Sequence, residues 1–282
     1  MNRRGKRILV ALFTVLLSFS LLAGYASAAA GTGAQADVAR IPLYVEGIRA
    51  GSGLMINNIT YVPLRSFCEA IMSDVTVSWD AGTQTATADM AGLEIVAQVG
   101  TPYVEANGRY FYTPSGVIMR DGDLCVPLDA AAKAFTADVM WNAEYQIIDI
   151  GLDHMAPATP ADQYYNSDDL YWLSHVINAE AGNQPLTGKI GVGDVVINRV
   201  NSPKWQDSIH DVIFAPGQFS VVPSGAINLS PNDESILAAK LCLDGASTVG
   251  KALYFVNPTI ADTSWLDPST LIITIGQHNF YA

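Results

Sequence analysis

Residues 41–151 carry one pattern twice, which requires that stretch to fold from two related small units. The first copy runs Tyr44-Val-Glu-Gly47, then Tyr61-Val-Pro-Leu-Arg-Ser-Phe67, then Trp79-Asp-Ala-Gly-Thr-Gln84. The second runs Tyr103-Val-Glu-Ala106, then Cys125-Val-Pro-Leu-Asp-Ala-Ala131, then Trp141-Asn-Ala-Glu-Tyr-Gln146. Order is kept and the spacings differ by only a few residues. Each copy, about 41–97 and 98–151, reads as short strands, a Val-Pro-Leu entry into a short helix, a Trp-bearing strand and a turn at Asp80 or Asn142.

The composition changes after the repeat. Ala156, Pro157, Ala158, Thr159, Pro160 and Ala161 give residues 152–166 the character of a linker. Beyond it, apolar residues at Leu170, Leu173, Ile177 and Ala181 recur at the spacing of one buried helix face. Ser167 can cap that helix, Asp168 and Asp169 suit its positive end, and Gly182 can stop it. Glu180 then falls in the last turn, one residue off the stripe. Partial burial and the negative end of the helix dipole both raise a carboxyl pKa there, as a general acid near neutral pH requires.

Further on, Gly182–Gly188 reads as a turn and Gly191–Val200 as a second helix with Val195, Val196, Arg199 and Val200 on one face. Residues 212–221 read as strand or loop. Ser230 and Pro231 open a third helix as cap and first residue, Asp233 completes a capping box, and the stripe Ile236, Ala239, Lys240 and Leu243 runs to a stop at Gly245. Residues 251–258 and 270–275 read as strands.

At the other end, Arg3, Arg4, Lys6 and Arg7 precede an apolar core from Ile8 to Ala23 and an Ala26-Ser27-Ala28 site. Residues 1–28 therefore read as an export signal cleaved before Ala29. Its removal takes four positive charges and no negative ones, moving the formal net charge from −12 to −16. So acidic a chain is a poor partner for nucleic acid or an anionic membrane. With 15% charged and 50% apolar residues it has the material for a packed core. Cys68, Cys125 and Cys242 are far apart and form no metal-binding spacing; buried thiols are the first expectation and a Cys68–Cys125 bridge the second.

Two resemblances follow from these motifs. The Val-Pro-Leu and Trp-Asp-Ala elements of the repeat resemble the small α+β stalk domain found at the N-terminus of copper amine oxidases. Copper is not implied: all four histidines lie beyond residue 150, so 41–151 hold no imidazole for it. The stalk is expected to be a binding or spacing module. The second half resembles the spore cortex-lytic, cell-wall hydrolase family. The resemblance rests on Ala179-Glu180-Ala181, Val195-Val-Ile-Asn-Arg-Val200, Gly217-Gln-Phe-Ser220, Ala252-Leu-Tyr-Phe-Val-Asn257 and Ile275-Gly-Gln-His-Asn-Phe280, in the family's order. It implies an α+β, lysozyme-like catalytic domain over 167–282, similar to lytic transglycosylases, with Glu180 as catalytic acid and peptidoglycan as substrate. It also implies a place in the cell wall or spore cortex, no cofactor or metal, and room for a partner protein that inhibits or stabilises the enzyme. The family's usual accompanying module is a different wall-binding domain, so the stalk is a departure.

Cleaving a β-1,4 muramyl bond requires an acid at the leaving oxygen. No second carboxylate in the motifs is well placed, since Asp194 lies inside the second helix and Asp211 in a loop. One Glu suffices if the muramyl C6 hydroxyl attacks intramolecularly. Gln218, Ser220 and Asn257 can hydrogen-bond a glycan, and Phe219, Tyr254 and Phe255 can stack on one or sit in the core. His278 can orient a site group or serve the fold, and Arg199 is expected to pair with a carboxylate or a helix end. Two rival readings are a zinc amidase using His175, His210 or His278 with Glu180, and a non-catalytic wall-binding or spore-assembly protein. Against the first, His175 and Glu180 are five residues apart, about 140° round a helix, and no H-E-x-x-H occurs.

Overall fold

The computed structural model describes residues 38–282; the export segment expected at 1–28 lies outside them. From Ala39 to Gly151 the chain alternates strands with two short helices. They are β1 (Ala39–Val45), β2 (Ile48–Ile56), β3 (Ile59–Pro63), α1 (Leu64–Ile71), β4 (Thr76–Asp80), β5 (Thr85–Met90), β6 (Leu93–Gln98) and β7 (Tyr103–Ala106). Then come β8 (Arg109–Tyr112), β9 (Ile118–Arg120), β10 (Asp123–Pro127), α2 (Leu128–Ala134), β11 (Asp138–Asn142) and β12 (Ile147–Gly151). One sheet has the order β11-β12-β1-β2-β3-β10-β9 and the other β4-β5-β6-β7-β8.

Both sheets mix strands from the two copies. β3 and β10 pair antiparallel with Val62 opposite Val126, Pro63 opposite Cys125 and Tyr61 opposite Pro127. Val62 and Val126 are the same position of the repeat, so a local two-fold axis passes between them, as at a symmetric dimer interface. Each Val-Pro-Leu step works alike: the proline lacks an N–H to continue the ladder, ends the strand and stands at the N-cap of α1 or α2. One core spans both copies, holding Phe67 and Phe135 edge to face at 5.9 Å.

All three cysteines are free thiols, buried in different places. The bridge allowed by the sequence is not formed. Cys68 lies in the main core of this half and Cys125 in a small cluster with Leu54 and Tyr61. Burial pushes their thiols up to about 12 and about 11.

The Pro/Ala/Thr segment lies against the β-rich half. Ala158 is fully buried in its core, and the Ala156 and Ala158 amides donate to the carbonyls of Phe135 and Ala134. The Asn107 side chain also donates to the Ala158 carbonyl at 2.8 Å. A single helical turn, α3 (Ala161–Tyr164), leads on.

The remainder contains α4 (Ser167–Ala181), α5 (Leu186–Val200), α6 (Ile209–Phe214), α7 (Asp233–Leu243), β13 (Tyr254–Val256), β14 (Leu271–Ile275) and β15 (His278–Tyr281), with sheet order β13-β15-β14. The chain is thus α+β, β-rich first and helical later. Among the described residues no helix is long and apolar enough to cross a membrane.

Several element ends differ from the sequence reading. Asn166, not Ser167, caps α4, accepting from the Asp168 and Asp169 amides. Asn232, not Ser230, caps α7, accepting from the Ser235 amide. The buried face of α7 is Ser235, Ala238, Ala239, Leu241 and Cys242, shifted from the stripe expected, so Ile236, Lys240 and Leu243 lie at its border. Residues 212–214 belong to a helix, because the Ser208 hydroxyl caps α6 through the Asp211 amide. α5 begins five residues early, at Leu186, and its glycines are packing positions. A Cβ on Gly191 would stand 2.8 Å from the Phe280 ring, and one on Gly193 would stand 2.6 Å from Cys242 Sγ.

Candidate active site

Glu180 occupies the last turn of α4, partly buried. α7 is fastened to that turn. The Asn178 side-chain oxygen accepts from the Asn232 amide at 3.1 Å and from the Ser235 hydroxyl at 3.3 Å, and the Gly182 amide donates to the Asn178 carbonyl. The backbone around Glu180 is therefore held from two helices. Burial pushes its carboxyl up to about 6, and the positive charge of Arg199 pulls weakly the other way.

Arg199, in the last turn of α5, is only 5% exposed. Its Nε donates to the Leu253 carbonyl at 2.8 Å, which fixes α5 against β13. The guanidinium carbon lies 4.2 Å from the ring centre of Trp205, 5.2 Å from Phe219 and 5.8 Å from Tyr254. One of its amino nitrogens, Nη1, is buried without a hydrogen-bond partner. Desolvation pushes the guanidinium down to about 10, while Tyr254 and Glu180 oppose that shift. Against the expected carboxylate or helix end, Arg199 hydrogen-bonds the Leu253 carbonyl just ahead of β13, and Glu180 acts on it only through its field.

Tyr254 stands in a row of three aromatics, edge to face with Trp205 at 6.0 Å and with Trp265 at 5.9 Å. Trp265 is 62% exposed, its indole N–H donating to the Asp262 carbonyl. Trp205 and Trp265 escape a sequence reading because both lie in irregular segments without periodicity; their only signal is a large aromatic among turn residues.

The other expected site residues are placed differently. Phe219 is 4% exposed and belongs to the core, tilted against Phe255 at 6.3 Å. Gln218 and Ser220, on either side of it, are exposed. The Asn257 side-chain oxygen caps a turn, accepting from the amide and hydroxyl of Thr259. His278 is buried between Phe255 and Phe280, its Nδ1 unpartnered, and desolvation lowers its pKa. Among the described residues no hydrogen bond joins Gln218, Ser220, Asn257 or His278 to Glu180.

Asp194 is buried elsewhere on α5, accepting from the Thr248 and Val249 amides. Burial pushes it up to about 6, and its work is to fasten the turn after α7. The histidines of the amidase reading are dispersed: His175 bonds the Ile227 carbonyl through Nδ1 at 2.7 Å, and His210 stacks on Phe214. Among the described residues no three His, Cys, Asp or Glu side chains converge. A cleft of about 400 Å³ lined by Asp169, Ile197, Ile209 and Leu243 opens at the first turn of α4, the end opposite Glu180.

Residues 183–281 match the family model described as Cell Wall Hydrolase, a match beginning just past Glu180. Residues 49–150 match the one described as Copper amine oxidase N-terminal domain. A spore cortex-lytic enzyme of Oceanobacillus iheyensis is 34% identical over 124 residues, covering 44% of this chain and 45% of that protein. A spore cortex-lytic enzyme of Bacillus subtilis is 32% identical over 116 residues, 41% of this chain and 38% of the relative. The chain thus spans less than half the length of these two curated relatives. The catalytic domain of the germination-specific lytic transglycosylase SleB from Bacillus anthracis is 31% identical, with a TM-score of 0.39, over 44% of this chain and 100% of that domain.

Proposed function

From the cell wall hydrolase domain that the second half carries, we propose that this chain is a secreted enzyme of the spore cortex or cell wall. It cleaves the β-1,4 bond between N-acetylmuramic acid and N-acetylglucosamine in peptidoglycan, and Glu180 is its catalytic residue. In this reading residues 41–151 are the stalk, 152–166 the connection and 167–282 the catalytic domain.

The observation that carries the reading is the place of Glu180, half-buried in the last turn of α4 that Asn178 fastens to α7. A carboxyl raised to about 6 keeps its proton in mildly acidic solution and still ionises near neutrality. Arg199 is the charged group whose field reaches it. The sequence motifs offer no second well-placed carboxylate, so the mechanism proposed uses one. Glu180 gives its proton to the glycosidic oxygen as the bond from muramyl C1 breaks. The C6 hydroxyl of the same sugar then bonds to C1, returning its proton to the Glu180 carboxylate and leaving a 1,6-anhydro end without consuming water. Tyr254 is the best-placed sugar contact; Gln218 and Ser220 are further candidates by exposure, and Asn257, Phe219 and His278 serve the fold first.

Release of soluble glycan from purified spore-cortex peptidoglycan tests this. Glu180→Gln is expected to lower the rate about 10²–10⁴-fold while binding to the insoluble polymer persists. A near wild-type rate in the Glu180→Gln variant would overturn the assignment.

A further inference from the structure

The two copies of the repeat use the same positions differently. Trp141 packs on the core of the β-rich half, whereas its counterpart Trp79 is 45% exposed. Val77 and Trp79 share a face of β4. Val77 reaches the core, and Trp79, nearer the turn at Asp80, extends past it. The position after Val-Pro-Leu differs as well, being Arg65 in the first copy and Asp129 in the second.

Trp79 does not stand alone on the surface. It lines a cleft of about 210 Å³ with Arg65, Met119 and Asp123. β4 is the edge strand of one sheet and β9 of the other, so the cleft lies where two sheet edges meet beside the start of α1. Its walls come from both copies, and neither copy forms it alone. Trp79 and the exposed Met119 make it apolar on one side, while Arg65 and Asp123 supply a donor and an acceptor. Arg65 Nη2 donates to the Val77 carbonyl at 3.1 Å, which holds the guanidinium against β4. Its Nη1 lies 3.9 Å from the Glu69 carboxylate, beyond hydrogen-bond length, and keeps donors for a ligand.

An indole face with a fixed donor and a carboxylate beside it matches a pyranose ring. The C–H face of such a ring is apolar, and its rim of hydroxyl and acetamido groups both donates and accepts. Asp123 disfavours a phosphate in the cleft, and Arg65 disfavours a cation. The volume is below the roughly 300 Å³ at which pockets begin to enclose a drug-sized molecule, so one ring fits and the rest of a strand runs outside.

We propose that this cleft is a glycan-binding site of the stalk, taking one N-acetylhexosamine ring of the peptidoglycan strand on the Trp79 indole. Arg65 donates to the acetamido or hydroxyl oxygens of that ring, and Asp123 accepts from its hydroxyls. The proposal rests on peptidoglycan being the polymer that the second half cuts. No bond is made or broken at the cleft; it holds the insoluble polymer. A strand held there stays tethered to the catalytic half, because Asp244 of α7 is gripped by Arg109 and Tyr110 of β8.

The test is co-sedimentation of the full chain with insoluble purified peptidoglycan, with Glu180→Gln in every sample to spare the polymer. Trp79→Ala and Arg65→Ala are each expected to weaken binding about tenfold. Both side chains are about half exposed, so both variants should keep the fold, which an unchanged thermal midpoint checks. Peptide-free glycan from the same wall should compete, and free stem peptide should not. Wild-type binding by both variants would overturn the proposal, as would competition by the peptide alone. An active Glu180→Gln would remove the catalytic reading and leave the comparison of binding standing. Should Trp79→Ala misfold, the Trp79 indole N–H resonance of the ¹⁵N-labelled chain decides, assigned by its loss in Trp79→Phe. It should shift on titration with the N-acetylglucosamine tetramer; a resonance that stays fixed would overturn the proposal.

Discussion

The carboxylate of Asp244, at the C-terminal end of α7, is completely enclosed by groups from the β-rich half and the segment after it. Arg109 Nε donates to it at 3.0 Å, the Tyr110 amide at 3.3 Å, and the Tyr165 hydroxyl closes the cage. The Arg109 guanidinium in turn lies 3.4 Å from the ring centre of Tyr164. Tyr103, Tyr110 and Tyr112 pack on the core of the second half. α7 thus bridges the β-rich half, at Asp244, and the Glu180 turn, at Asn232.

Removing one partner of that ion pair leaves the other charge poorly solvated. Asp244→Ala is expected to lower stability by about 3–5 kcal/mol, and denaturant unfolding measures it. A loss under about 1 kcal/mol would show that the cage contributes little.

α5 should resist any side chain at its buried glycines. Gly193→Ala places a methyl against Cys242 Sγ and within 3.0 Å of Ile177, one turn before Glu180. The expected cost is about 1–3 kcal/mol by thermal unfolding. Adding Cys242→Ala should recover part of it; an additive double variant would contradict the packing account.

Glu180 gives stability a pH dependence of known sign. Its folded value, about 6, lies above the ordinary 4.5, so the folded state holds the proton more tightly. The associated stability is complete below about 4.5 and is lost as pH rises through about 6. That shift corresponds to about 2 kcal/mol. Glu180→Gln should therefore be more stable than wild type by about that amount above pH ~7 and no different near pH ~4, read by unfolding at both. An equal difference at both pH values would contradict this.

The aromatic row predicts a binding effect apart from chemistry. Trp265→Ala, at its exposed end, is expected to raise KM about tenfold and leave kcat near wild type. A fall in kcat at unchanged KM would place Trp265 elsewhere in the cycle.

What the sequence made legible was local. The spacing of Leu173, Ile177 and Ala181 put Glu180 in a last helical turn, and burial raises its carboxyl as that position implied. The duplicated Val-Pro-Leu step foretold two strand-to-helix junctions, but not that Val62 would face Val126, because pairing between copies is a long-range choice. Asn166 and Asn232 displaced neighbouring serines as caps, and Asn232 is also held by Asn178 from another helix, a contact 54 residues away. Val212-Ile213-Phe214 was too short an apolar run to tell helix from strand. Arg199 and its Trp205, Phe219 and Tyr254 surroundings meet only because three separate segments converge on the end of α5.

The bond that is cut is read most directly from the products. Mass spectrometry of soluble fragments from purified cortex peptidoglycan should find 1,6-anhydromuramic ends with wild type and none with Glu180→Gln. Reducing muramic ends would contradict the one-carboxylate mechanism and require a water nucleophile with a second base. Free peptides beside an intact glycan would contradict glycosidic cleavage altogether.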